Sequence, residues 1–273
     1  MYIVQIVQQE EGMKKLIIFV TMLLVACMAK PAEDCMAVEF PNTTSINFGT
    51  LSADVSTPTA RTWTAWINIT ETQTQNYPHR IFNVTSRWTI DYYDDSTASP
   101  YIYIRFVLWR DITTGIWFGS ANLTPGTWYH VAISYDESST ANNPIFYLNG
   151  SVLNITVPAG YTPNGNVIND ADGVLEIGGR NTEDLQSKII IQDVRIYNRI
   201  LSASEIETLA NSRCLKTVMN GLVFWAPMWG TNDQSFDGLT LTSSHRITDW
   251  VNGAVGTPAG SPIGRGNTIQ PLK

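Results

Sequence analysis

The chain is short of charge. Asp, Glu, Lys and Arg make up only 15% of its 273 residues, and the formal balance is −7. No Lys/Arg cluster stands beyond residue 26, and without concentrated positive charge a surface for nucleic-acid phosphates is excluded. Histidine is scarcer still: His79, His130 and His245 are the only three, and none has H-E-x-x-H spacing. G-x-S-x-G is absent, and so is a Gly–Lys loop able to cradle phosphate. The signatures of zinc hydrolases, serine hydrolases and nucleotide-binding proteins are therefore missing together. Apolar runs are short as well. Residues 16–25 form a ten-residue stretch, half of the roughly 20 that a bilayer-spanning helix needs.

What the N-terminus does contain reads as a targeting segment. Met13-Lys14-Lys15 supplies a basic start, residues 16–25 an apolar core, and Leu24-Val25-Ala26-Cys27 resembles a bacterial lipobox. Residues 1–27 are thus expected to be a signal of the lipoprotein type with Cys27 as the lipidated residue, followed by a linker over 28–36. The alternative is an ordinary secretory signal. Glu10 and Glu11 suit the start of a signal poorly, so translation from Met13 fits better. The expected location is outside the cytoplasm, as a membrane-anchored lipoprotein or a secreted, cell-surface protein. With Cys27 carrying lipid, Cys35 and Cys214 remain as an even pair at either end of the strand-rich region. Chain ends of compact domains tend to lie close, so a Cys35–Cys214 disulfide is expected, against the alternative of two free buried thiols.

Aromatics are plentiful, at 11% with nine Trp, which favours a packed, sheet-rich domain. Strand signals recur from Val38 onward. Residues 62–69 place Trp63, Ala65, Ile67 and Ile69 on one face, and residues 80–84, 88–92, 101–110 and 116–120 continue the series between turns. The clearest unit is Trp128-Tyr129-His130-Val131-Ala132-Ile133-Ser134-Tyr135-Asp136, then Ile145-Phe146-Tyr147-Leu148-Asn149-Gly150. Tyr129, Val131, Ile133 and Tyr135 share one face; Trp128, His130, Ala132 and Ser134 share the other. Asn149-Gly150 has the residues of a two-residue type I′ turn, with residues 151–155 returning as the partner strand. Later, residues 173–180 and 189–199 run into Leu201-Ser202-Ala203-Ser204-Glu205-Ile206, where Ser202 and Glu205 have capping-box spacing at the start of a helix. Short strands between turns, with one short helix, predict an all-β antiparallel sandwich.

Both pieces resemble one family. The hairpin W-Y-H-V-A-I-S-Y-D … F-Y-L-N-G and the closing Ile191-Gln192-Asp193-Val194-Arg195-Ile196-Tyr197-Asn198-Arg199 with Leu201-Ser202 and Glu205-Ile206 are similar to laminin-G-like domains, jelly rolls of the concanavalin A-like lectin/glucanase group. The segment 221–228 resembles the strand that commonly opens such domains, and 249–257 the Gly-rich turn after it, yet here both follow the helix. The expectation is a circularly permuted order, one jelly roll over 37–260 with 221–260 completing it, and a tail over 261–273.

That resemblance implies a non-catalytic binding or adhesion module whose partner is a glycan or a surface protein, touching membrane only through its lipid. A structural or decorating module of a cell surface or virus particle is the rival reading. Glucanase relatives carry E-x-D-x-x-E on one strand, which sets nucleophile and acid/base on one face. Nothing here matches: Glu176 has no acidic partner two or five residues on, so no catalytic residue is expected, and a glycoside hydrolase with an atypical site of dispersed carboxylates is the lesser alternative. His130 is read as a core residue rather than a base. Along 101–110, Tyr101, Tyr103, Arg105, Val107 and Trp109 share a face opposite Ile102, Ile104, Phe106 and Leu108. Tyr101, Tyr103, Arg105 and Trp109 are the expected ligand residues, since aromatic rings stack on sugars and carry polar edges; the alternative is that this face packs inside. Laminin-G domains often hold Ca²⁺ in rim loops. Here Asp170 and Asp172, with Asp136 nearby in the pattern, are the candidate ligands, against a plain solvated turn.

Overall fold

The computed structural model describes residues 37–42, 44–50, 59–71, 78–95, 101–168, 172–179, 187–228, 241, 247–260 and 262–265, all within the compact unit Asp34–Lys273. The expected signal, Cys27, Cys35, Asp170 and the tail from 266 fall outside the described residues. In chain order the strands are β1 (Ala37–Asn42), β2 (Ser45–Thr50), β3 (Ala60–Ile69), β4 (Pro78–Val84), β5 (Trp88–Asp95), β6 (Tyr101–Leu108), β7 (Gly115–Gly119), β8 (Trp128–Asp136), β9 (Ile145–Leu148), β10 (Ser151–Leu153), β11 (Ile155–Thr156), β12 (Val174–Gly178) and β13 (Ser187–Tyr197). Then come α1 (Ala203–Asn211), β14 (Leu222–Ala226), β15 (Ile247–Thr248), β16 (Val255–Ala259) and β17 (Ile263–Arg265).

The strands form two antiparallel sheets. The first runs β10-β9-β8-β3-β13-β1-β17, with β14 also on β13; the second runs β11-β7-β6-β5-β4-β12-β2-β16-β15. The opening stretch 37–50 thus supplies one strand to each sheet. The segment after α1 contributes to both sheets: β14 pairs with β13, β16 with β2, and β17 with β1. Between the sheets lies an aromatic core. Trp63 of β3 sits 5.3 Å from Trp88 and 5.1 Å from Phe106, while Tyr135 of β8 sits 5.3 Å from Trp117. These tilted contacts add to the area term of burial.

The hairpin forms as its residues predict. Asn149 and Gly150 have φ of 49° and 83°, the left-handed values a type I′ turn requires. The turn also packs closely, since a Cβ on Gly150 would stand 3.2 Å from the Glu207 Cα of α1. That helix begins where capping chemistry places it. The Ser202 side chain accepts from the Glu205 amide, the Glu205 side chain accepts from the Ser202 amide, and Arg199 pairs with the same carboxylate at 2.6 Å. Ile206 and Leu209 then bury against Ala132, Tyr147 and Trp225 on the outside of the first sheet.

One buried ion pair organises the joint between β13, β14 and the loop after α1. The register of β13 against β3 shifts between Gln192 and Arg195, and Asp193 takes φ 53° there. Its carboxylate accepts from Arg195 Nε at 2.9 Å and Nη2 at 3.0 Å, from Trp225 Nε1 at 2.6 Å and from the Cys214 amide at 2.7 Å. Arg195, fully buried, also donates to the carbonyls of Leu215 and Thr217 and stands 4.5 Å over the Trp225 ring. Burial works to lower the Arg195 pKa, and the Asp193 charge and hydrogen bonds outweigh it, raising it overall.

Two outcomes follow from these contacts. Arg195→Met strands a buried carboxylate and is expected to lose about 3–5 kcal/mol in denaturant unfolding. The double variant Asp193→Asn/Arg195→Met, with no orphaned charge, should lose less; an equal or larger loss would show that the charges do not matter. For Glu205, the Arg199 hydrogen bond and the cap hold its pKa at about 2, below the usual 4.5. A depressed folded-state pKa means stability present above pH 4.5 and lost as pH falls toward 2. Glu205→Gln should therefore cost about 1 kcal/mol at pH 7 and nothing measurable near pH 2, read from paired melts.

Candidate functional face

The second sheet presents the chemistry. On β5, Trp88, Ile90 and Tyr92 enter the core, so Thr89, Asp91 and Tyr93 face outward; on β6, Ile102, Ile104, Phe106 and Leu108 enter it, so Tyr103, Arg105 and Val107 face outward. Register then aligns these outward residues into rungs. Tyr93 lies opposite Tyr103, and Arg80, Asp91, Arg105 and Phe118 follow one another across β4, β5, β6 and β7. A further rung carries Asn47, Glu176, Asn83, Thr89, Val107 and Ile116.

The middle of this face is electrostatically set. Asp91 has no exposed side-chain area and lies between two guanidiniums: Arg80 Nη1 donates to Oδ1 at 2.9 Å, and Arg105 Nε and Nη2 donate to Oδ2 at 3.0 and 2.5 Å. Around Arg105 stand aromatic rings. Phe118 meets Tyr93 at 5.7 Å and Tyr103 at 6.1 Å, both edge to face. Tyr93, Tyr103, Arg105 and Phe118 are all partly exposed. The result is a charged line walled by rings at the water boundary.

Of the expected ligand residues, Tyr103 and Arg105 are brought together here. Trp109 lies just past the end of β6, half-buried, its amide bonded to the Arg87 carbonyl at 2.8 Å. The side chain of Tyr101 is outside the described residues. Sequence reading missed Arg80, Asp91, Tyr93 and Phe118. Alternation along residues 88–93 would have turned Asp91 and Tyr93 outward, but only strand pairing shows that Arg80 and Arg105 flank the same carboxylate.

The expected cation ligands are engaged separately. Asp172 is exposed and bonded to Arg87 Nη2 at 2.8 Å, a contact that lowers its pKa. Asp136 accepts the Ser138 amide at 2.9 Å, and hydrogen bonds from the Ser138 side chain and amide lower its pKa likewise. Among the described residues no three His, Cys, Asp or Glu side chains gather as metal ligands, and Asp170 lies outside them. Cys214 is disulfide-bonded; its expected partner, Cys35, is also outside the described residues.

The outer face of the first sheet is closed instead. Arg213 lies 3.9 Å from the Trp66 ring and 4.5 Å from the Trp128 ring, and this burial pulls its pKa down to about 10. His130 sits beside them, 5.5 Å from Trp66 and 2% exposed, with burial lowering its pKa to about 3. A ring so placed stays neutral at ordinary pH and is out of reach of a substrate. Its core role matches the expectation from the strand pattern.

Comparison with known proteins agrees with this architecture. The laminin-G model of the concanavalin A-like lectin/glucanases superfamily matches residues 40–207. No curated protein matches the chain. Among solved structures, a Bacteroides ovatus protein assigned provisionally to carbohydrate binding superposes with a TM-score of 0.58 at 15% identity, over 86% of this chain. The present chain spans 61% of that protein's length. The heptameric SAP-like pentraxin of Limulus polyphemus gives a TM-score of 0.48 at 16% identity, over 66% of this chain and 83% of its own. At such identities the likeness is one of fold. With more than half its length matched by the family model, and with two antiparallel sheets closed into a jelly-roll sandwich, this chain belongs to the concanavalin A-like lectin/glucanases superfamily.

Proposed function

We propose that the protein is a non-catalytic carbohydrate-binding module whose glycan lies across the outward face of β4, β5, β6 and β7. One observation carries this reading: Tyr93, Tyr103 and Phe118 border a charged Arg80–Asp91–Arg105 line at the surface of a sheet whose other side is core. Aromatic faces take the C–H faces of pyranose rings, and guanidinium N–H groups donate to their hydroxyls. Asp91 positions the arginines. Enclosed by both, it has no open oxygen with which to protonate a leaving group or attack a sugar, as hydrolysis requires. The provisional carbohydrate-binding assignment of the Bacteroides ovatus protein is consistent with this reading.

Export, with Cys27 lipidated and Cys35 joined to Cys214, completes the proposal. A disulfide at Cys214 supports an oxidising compartment. The chain has three cysteines, so assigning Cys27 to lipid leaves Cys35 as the partner.

Glycan-array binding tests the function. Binding should appear for some glycans, and Phe118→Ala or Tyr103→Ala should weaken it roughly tenfold with melting temperature little changed. Binding to a surface protein alone, or to nothing on the array, would reject the reading; repeating the array in EDTA decides whether a cation takes part. For the cysteines, non-reducing peptide mass spectrometry should recover a Cys35–Cys214 cross-link and a diacylglycerol-modified Cys27. Cys214→Ser should cost about 2–5 kcal/mol. Recovery of Cys35 and Cys214 as alkylatable thiols would refute the pairing.

A further inference from the structure

We propose that the sugar taken by this face is acidic, and that Arg105 receives its carboxylate. This rests on the carbohydrate-binding reading and narrows it to a ligand class. Two guanidiniums bond one buried carboxylate, Arg80 at Oδ1 and Arg105 at Oδ2. Of the two, Arg105 keeps the more exposed side chain. A guanidinium has five N–H donors, and Arg105 commits two of them, on Nε and Nη2, to Asp91 Oδ2. That side-on engagement leaves three: both hydrogens of Nη1 and the second of Nη2. Among the described residues no protein acceptor takes them, and the side chain keeps 15% of its area exposed.

The two Nη groups left facing outward form the fork that matches a carboxylate with two parallel hydrogen bonds. The fork is held before any ligand arrives, because Asp91 fixes the guanidinium and is itself fixed by Arg80; little rotamer freedom remains to be lost on binding. Phe118 lies directly across from Arg105 in the ladder and Tyr103 two residues along β6. Both side chains are partly exposed on the same face of the sheet. They also offer an apolar wall to the ring that bears the carboxylate. A neutral sugar could use the same donors, but it would forgo the charge-assisted, two-pronged bonding that a carboxylate makes with the fork. The chain as a whole is negative, at −7, so the recognition is local: at physiological salt, charges beyond about 8 Å are screened.

The test compares an oligouronate with the same oligosaccharide after reduction of its carboxylates to primary alcohols, by titration calorimetry on the intact protein. The oligouronate is expected to bind at least tenfold more tightly. Arg105→Gln should bring that ratio close to one, and Arg105→Lys, which keeps the charge and loses the fork, should recover only part of it. Melting curves of both variants check that the Arg80–Asp91 pair keeps the sheet intact. Equal affinity for the acid and its reduced form would overturn the proposal while leaving carbohydrate binding standing, and so would a ratio that survives Arg105→Gln. Preference for a sulfated analogue over the uronate would overturn the carboxylate assignment. Absence of binding to any of these and to the wider array would remove the carbohydrate reading and this proposal together.

Discussion

Asp193 and Arg195 form the contact on which the rest of the sandwich depends. A buried ion pair is costly to desolvate, and only good geometry and further hydrogen bonds offset that cost. Here they are supplied by the Trp225 indole, the Cys214 amide and the carbonyls of Leu215 and Thr217. The pair sits at the bulge of β13, where Asp193 adopts a left-handed φ. On one side of that bulge β13 pairs with β1, on the other with β14, while β3 runs along its opposite edge. The same carboxylate thus joins a strand from before the helix to one from after it. It also pins the loop that carries Arg213 over Trp66 and Trp128.

Both sheets use a guanidinium held by a buried aspartate, to opposite ends. On the first sheet Arg195 is sealed under the post-helix loop, with four hydrogen bonds to Asp193, Leu215 and Thr217, and α1 covers the neighbouring strands. On the second sheet Arg105 is anchored by Asp91 from below and keeps an edge toward solvent. The sealed pair serves cohesion; the half-open one is a site. Phe118, Tyr93 and Tyr103 are partly exposed around it, and a sheet backed by an aromatic core holds them in place.

Much of this was legible locally. Alternation along 101–108 separates Ile102, Ile104, Phe106 and Leu108, which are core, from Tyr103 and Arg105, which are not. The partners of Arg105 were not legible in the same way. Asp91 lies 14 residues back along the chain, and its place beside Arg105 follows from strand register, which turns and core packing set together. Trp109 joined the expected ladder because alternation carries no mark of where a strand stops; the chain leaves β6 after Leu108. Asp170, Asp172 and Asp136 were expected as cation ligands from the family resemblance; in the fold Asp172 bonds Arg87 and Asp136 bonds Ser138, contacts that no local pattern announces.

The amino-acid order by itself determined the elements whose causes are local. The period of two along each strand, the left-handed pair at Asn149-Gly150 and the Ser202–Glu205 cap depend on residues within a few positions of each other. Tertiary structure alone decided which face was closed and which was left open. That choice depends on how β4, β5, β6 and β7 are registered, on where the post-helix loop lands, and on the burial of Asp91 between two arginines from different strands. These are pairings between distant segments, selected by the packing of a shared core. No single stretch of sequence contains them.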